Sequence, residues 1–178
     1  MAVVLLLGGV RSGKSRLAAE LADGGPAPVT MIATAEARDE EMSARITRHR
    51  AERPADWATV EAPVELADAI EAAPSDHALV VDCLTLWVSN LIEHGLHDDE
   101  IVDRAQRAAG LAAQRDALVV VVSNEVGSGV IASSELGRRY VDVLGRVNAI
   151  WAHVAQRAAL VVAGKVLPLH GREVLAGD

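Results

Sequence analysis

Gly8-Gly9-Val10-Arg11-Ser12-Gly13-Lys14-Ser15 follows an apolar run at positions 3–7 and opens a helical pattern at positions 14–22. The octapeptide matches G-x-x-x-x-G-K-[ST] in full, and it stands between a strand pattern and a helix pattern, where such a loop has a physical purpose. Glycines let backbone N–H groups turn inward on phosphate oxygens, and the N-terminus of the following helix favours negative charge. On this reading Gly8, Gly9, Val10, Arg11, Ser12, Gly13, Lys14 and Ser15 cradle a nucleotide. Lys14 reaches the β- and γ-phosphates and Ser15 ligates Mg²⁺. The plain alternative is a glycine-rich turn that only joins a strand to a helix, which requires pattern and setting to coincide by accident.

Working outward, further Val- and Leu-rich runs at 29–33, 78–81, 118–122 and 160–163 alternate with helical patterns at 38–53, 64–72, 85–93, 99–115 and 134–157. Runs that are apolar on both faces indicate strands buried on both sides. The alternation predicts a doubly wound α/β sheet, mostly parallel. Leu136, Tyr140, Val143, Val147, Ile150, Trp151 and Val154 share one face of the last long helix, the pattern of a helix packed along a sheet. Pro54 and Pro63 bracket a short segment around Trp57 that suits an edge strand. With 178 residues, a single catalytic domain over 1–178 is expected.

Composition narrows the function classes. The net charge of −8 argues against broad binding to nucleic acid or to an anionic membrane, since both need clustered Lys and Arg. Cys83 is the single cysteine, so an internal disulfide or a multi-thiol metal cage is impossible and a reducing compartment fits. The opening apolar run breaks at Gly8, too short for a signal peptide or a membrane span, and a cytoplasmic protein is expected.

Ligands of open α/β sheets collect at the carboxyl ends of strands, so polar residues there carry weight. Thr34-Ala35-Glu36 follows one strand pattern, Asp82 another, and Ser123-Asn124-Glu125 with Gly127 and Gly129 a third. Asp82 has the form of a Walker B acid that holds Mg²⁺ directly or through water, with an N-cap for the next helix as its alternative. Asn124 and Glu125 divide evenly between capping their loop and binding a second substrate or a metal-bound water.

In the helix pattern after position 38, Met42, Ile46 and His49 fall at spacings of four and three, and Arg45 and Arg53 flank His49 one turn away on either side. A neutral imidazole is a competent nucleophile near neutrality, and adjacent arginines disfavour its cation while binding phosphates. Spacing alone favours the plainer reading, a partly buried histidine satisfied by a neighbour with the arginines solvated. His77, His94, His97, His153 and His170 have no comparable setting and are expected at the surface or in caps.

Together these residues resemble the bifunctional adenosylcobinamide kinase/adenosylcobinamide-phosphate guanylyltransferase family of cobalamin biosynthesis. The resemblance rests on GGVRSGKS at 8–15, MIATAEARDEEMSARITRHRAERPADW at 31–57, VVDCLTLWVSNL at 80–91, VVSNEVGSGVI at 121–131, GRRYVDVLGRVN at 137–148 and VVAGKVLPL at 161–169. It implies a RecA-like P-loop NTPase fold and two activities. ATP or GTP would phosphorylate the aminopropanol hydroxyl of adenosylcobinamide, and GMP from GTP would then pass to that phosphate through a guanylylated histidine. The family's R-I-x-x-H-R motif falls on His49, which makes His49 the implied nucleophile. Thr34, Ala35, Glu36, Arg50, Glu61 and Asp82 are carried over as residues lining the nucleotide or metal site, with Mg²⁺ on Ser15 and Asp82. The resemblance also implies a homotrimer. The chain departs from the family pattern at Ile131-Ala132-Ser133-Ser134 and in AGKVLPLHG near the end. Two rival readings are a P-loop kinase of another small hydroxyl substrate and a GTP-dependent switch module; a recognisable N-K-x-D guanine-reading element, which the second would favour, does not occur in the sequence.

Overall fold

A computed structural model describes residues 3–51, 54–129 and 131–169, with the side chains of Glu41, Arg45, Arg48, His49 and Ala51 left aside. Strand β1 (Val3–Gly8) leads through the glycine-rich loop into α1 (Lys14–Asp23), then β2 (Val29–Ala33), α2 (Glu40–Ala51), β3 (Ala58–Glu61) and α3 (Leu66–Ala72). Next come β4 (Ala78–Asp82), α4 (Leu84–Glu93), α5 (Asp98–Ala113), β5 (Val119–Val122), α6 (Glu135–Val154), β6 (Arg157–Val162) and β7 (Lys165–Leu169). The strands form one sheet in the order β3-β2-β4-β5-β1-β6-β7. All pairs are parallel except β6 with β7.

The central strands read as unbroken apolar runs because both of their faces are covered. Leu5, Leu79, Val81, Val119 and Val121 pack with Trp87, Leu91, Ile101, Leu144 and Trp151 on the face carrying α3, α4, α5 and α6. Val4, Leu6, Val80, Val120 and Val122 pack on the other face with Ala18 and Ala22 of α1 and with Trp57. Of the α6 stripe, Val143, Val147 and Trp151 are buried and Tyr140, Ile150 and Val154 pack partly buried against the core, joined by Leu144, whereas Leu136 in the first turn is exposed rather than core. The segment between Pro54 and Pro63 does hold an edge strand, β3, paired in parallel with β2.

Two boundaries differ from expectation. Helix α6 stops at Val154 and β6 begins at Arg157, earlier than the apolar run suggested, because the first residues of β6 alternate in burial rather than being covered on both sides. Strand β7, unanticipated, returns antiparallel through a turn in which Ala163 and Gly164 both have positive φ (49° and 75°). Among the described residues no helix is long and apolar enough to cross a membrane.

Candidate active site

The site forms where β1, β2, β3 and β4 end, and its floor is set by Gly8 and Gly13. Gly8 has φ 150°, and a Cβ there would lie 2.2 Å from the Val161 carbonyl oxygen of β6, so a side chain would push β1 off its neighbour. Gly13 has φ 101° and is the N-cap of α1, which turns the loop into the helix without a side chain in the way. The loop is held from both sides. Gly164 N–H donates to the Ser12 carbonyl (2.8 Å), and Glu125 N–H donates to the Gly8 carbonyl (3.2 Å). Lys14 is buried, with its ammonium donating to the Gly9 carbonyl (2.6 Å) and to Ser12 Oγ (3.3 Å).

A pocket beside this loop is lined by Ser15, Ala33, Ala35, Met42, Ile46, Arg50, Glu61, Asp82, Cys83 and Leu86. It therefore joins the start of α1, the ends of β2, β3 and β4, and one face of α2. Met42 and Ile46 face inward as their spacing indicated. His49 lies in α2, three residues after Ile46 and one before Arg50, and its side chain falls outside the described residues. Arg50 forms an ion pair with Glu61 across the pocket. Arg53 and His170 also lie outside the described residues.

Asp82 ends β4, while the N-cap position of α4 is taken by Cys83 without a side-chain cap bond. The capping alternative for Asp82 is thus not what this fold uses. Its carboxylate shares the pocket with the Ser15 hydroxyl, an all-oxygen pair of the hardness Mg²⁺ prefers. Among the described residues there is no group of three or more His, Cys, Asp and Glu arranged to hold a metal. Burial, and next the charge of Asp82, push the Cys83 thiol up to about 11, which disfavours its thiolate near neutrality.

Thr34 and Glu36 are not among the residues lining the pocket. Thr34 is fully buried and bonded to β4 and α4. Glu36 faces Arg38, whose guanidinium holds its carboxyl below the ordinary value, with His94 on its other side at 3.4 Å. Glu125 folds onto its own loop, accepting from Gly127 N–H (2.9 Å) and Ser128 Oγ (3.3 Å), which is the capping reading. The backbone of Asn124 bridges two helices, its N–H donating to Thr85 Oγ1 (2.8 Å) and its carbonyl accepting from Asn148 Nδ2 (3.1 Å). Sequence reasoning missed Arg38, Asn90 and Thr85, whose partners lie far along the chain.

Residues 4–169 match the family model described as cobinamide kinase / cobinamide phosphate guanyltransferase. The chain is 44% identical over 178 residues to the bifunctional adenosylcobalamin biosynthesis protein CobP of Pseudomonas aeruginosa, covering 94% of this chain and 96% of the relative. It is 38% identical over 176 residues to the bifunctional adenosylcobalamin biosynthesis protein CobU of Salmonella typhimurium, covering 91% and 96%. Among solved structures it resembles the EscN ATPase of the enteropathogenic E. coli type III secretion system (TM-score 0.59, 11% identity, covering 91% of this chain and 43% of that one). It also resembles the RadB recombinase (TM-score 0.51, 12% identity, covering 89% and 73%). At such identities these two structures speak for the RecA-like P-loop fold alone. From the length of the family match and the identity of its relatives, the chain belongs to the cobinamide kinase / cobinamide phosphate guanyltransferase family of bifunctional enzymes.

Proposed function

We propose that the chain, working as one catalytic domain, phosphorylates the aminopropanol hydroxyl of adenosylcobinamide and then transfers GMP from GTP onto that phosphate through His49. The observation that carries this reading is the pocket itself. It places the P-loop serine, the Asp82 carboxylate and the inward face of the His49 helix around one space, so a triphosphate gripped by the loop would extend toward α2.

In the kinase step the substrate hydroxyl attacks the γ-phosphorus of ATP or GTP and gives up its proton to water, the bond to the β–γ bridging oxygen breaks, and ADP or GDP leaves. Lys14 exchanges its loop partners for phosphate oxygens and, with the loop N–H groups, neutralises charge spread over the transferring group. Ser15 and Asp82 would hold Mg²⁺, which would supply further neutralisation of phosphate charge. In the transferase step the neutral imidazole of His49 attacks the α-phosphorus of GTP and pyrophosphate leaves. A phosphate oxygen of the cobinamide phosphate then attacks the same phosphorus, breaking the P–N bond, freeing His49 and giving adenosylcobinamide-GDP. Arg50, free to leave Glu61 for a phosphate, is suited to hold the α-phosphate for both attacks.

The single Cys83 and the acidic balance favour the cytoplasm, and the family resemblance favours a homotrimer. The separation of the two activities tests the proposal. His49→Ala should lower guanylyl transfer by on the order of a thousandfold or more while phosphorylation persists. Equal retention of both activities would remove His49 from the chemistry and leave a P-loop kinase.

A further inference from the structure

We propose that Thr34 is a positioning residue that fixes the carboxyl end of β4, and with it the Asp82 carboxylate, rather than a contact to nucleotide. Every polar group of Thr34 is spent inside the protein. Its hydroxyl accepts from Cys83 N–H (2.8 Å) and donates to the Cys83 carbonyl (2.7 Å). Its N–H donates to the Asp82 carbonyl (3.1 Å), and its own carbonyl accepts from Asn90 Nδ2 (2.7 Å). The residue has no exposed surface with which to meet a ligand. Each of these bonds ends on the Asp82–Cys83 turn or on α4, so the end of β2 holds the point where β4 passes into α4.

The clamp continues outward. Asn90, itself buried, donates also to the Pro63 carbonyl (2.9 Å) and accepts from Arg38 Nη2 (2.9 Å). Arg38 is paired in turn with Glu36 and Glu93. Arg38 sits just before α2, so one connected set of bonds runs from the base of the His49 helix to the residue after Asp82. A hydroxyl that both donates and accepts within one residue's backbone has no apolar substitute. Valine would leave the Cys83 N–H and carbonyl without their partner while filling the same volume.

This inference rests on the metal role proposed for Asp82, and the experiment keeps the two apart. Binding of a fluorescent non-hydrolysable GTP analogue is measured with excess Mg²⁺ and with EDTA for the parent, Asp82→Asn, Thr34→Val and Thr34→Ser, with melting curves for each. Thr34→Val should bind the analogue in EDTA as the parent does and lose about tenfold of the tightening that Mg²⁺ brings, and Thr34→Ser should regain most of it. Full Mg²⁺-dependent tightening in Thr34→Val overturns the clamp. So does an equal loss with and without the metal, which would mean that Thr34 contacts nucleotide directly. If Thr34→Val does not fold, Asn90→Ala carries the test: a partial loss of the Mg²⁺ increment supports the clamp, and an unchanged increment overturns it. Undiminished tightening in Asp82→Asn would instead defeat the metal assignment beneath it.

Discussion

The two halves of the pocket are built on opposite terms. The half at β1, β2 and β4 rests on strands buried along nearly their whole length, and the side chains at their ends are buried too: Lys14, proposed to grip phosphate, is 6% exposed, and Thr34, proposed to brace β4, 0%. The half at β3 and α2 stands at the sheet edge. Every residue of β3 is exposed, and the Arg50–Glu61 pair keeps 54% and 58% of its side chains in solvent. A grip on phosphates needs donors that do not reorganise, which packing supplies. The proposed transfer through His49 needs a group that reaches one phosphorus and later withdraws, and a sheet edge open to solvent at β3 leaves room for that. An exposed ion pair contributes under about 1 kcal/mol to stability, so the Arg50–Glu61 pair adds little to the fold.

If this contrast holds, substitutions in the two halves should fail differently. Lys14→Ala should depress both phosphorylation and guanylyl transfer, each by about 10²- to 10³-fold, because both draw on the same grip. Steady-state assays of the two reactions on one preparation would show it, and loss of only one would break the contrast. Arg50→Ala should lower guanylyl transfer about tenfold and phosphorylation less, consistent with one charged contact to the α-phosphate. Its melting temperature should stay close to the parent's, since the ion pair is exposed. The smallest effect concerns Cys83. Raising its thiol from 9.0 to about 11 lowers the thiolate fraction at neutral pH about a hundredfold, so alkylation by iodoacetamide should be slower by that order in folded protein than in urea. Fast labelling of the native thiol would show that the Asp82–Cys83 turn is looser than the clamp requires.

Much of the buried half was legible in the sequence. Strands covered on both faces leave continuous apolar runs, and Asp82 and the P-loop sit where such runs end. The β6–β7 hairpin was not, for a physical reason. Strand β7 is exposed along its whole length and contains Pro168, which an edge strand tolerates, so neither burial nor alternation marks it. Thr34 was visible as a polar residue after a strand and, through the family resemblance, as a residue lining the nucleotide or metal site, but not as a brace for β4. Its function depends on Cys83, 49 positions away, and on Asn90, 56 positions away, and no local pattern reports such a bond. In α2, spacing turned Met42 and Ile46 inward, where they line the pocket, but by itself it favoured a packed side chain for His49; the family resemblance, not periodicity, pointed to the nucleophile. Arg50 and Glu61 likewise entered through resemblance, and the fold then brought them together.

The central claim is that the chain carries GMP on His49. Its most direct test is incubation with Mg²⁺ and GTP labelled at either the α- or the γ-phosphate, followed by denaturation and treatment of the protein with acid or base. The account expects label from α-labelled GTP alone, labile in acid, stable in base and absent from His49→Ala. Protein that binds GTP yet takes no label from either nucleotide, or takes it equally in His49→Ala, would contradict it.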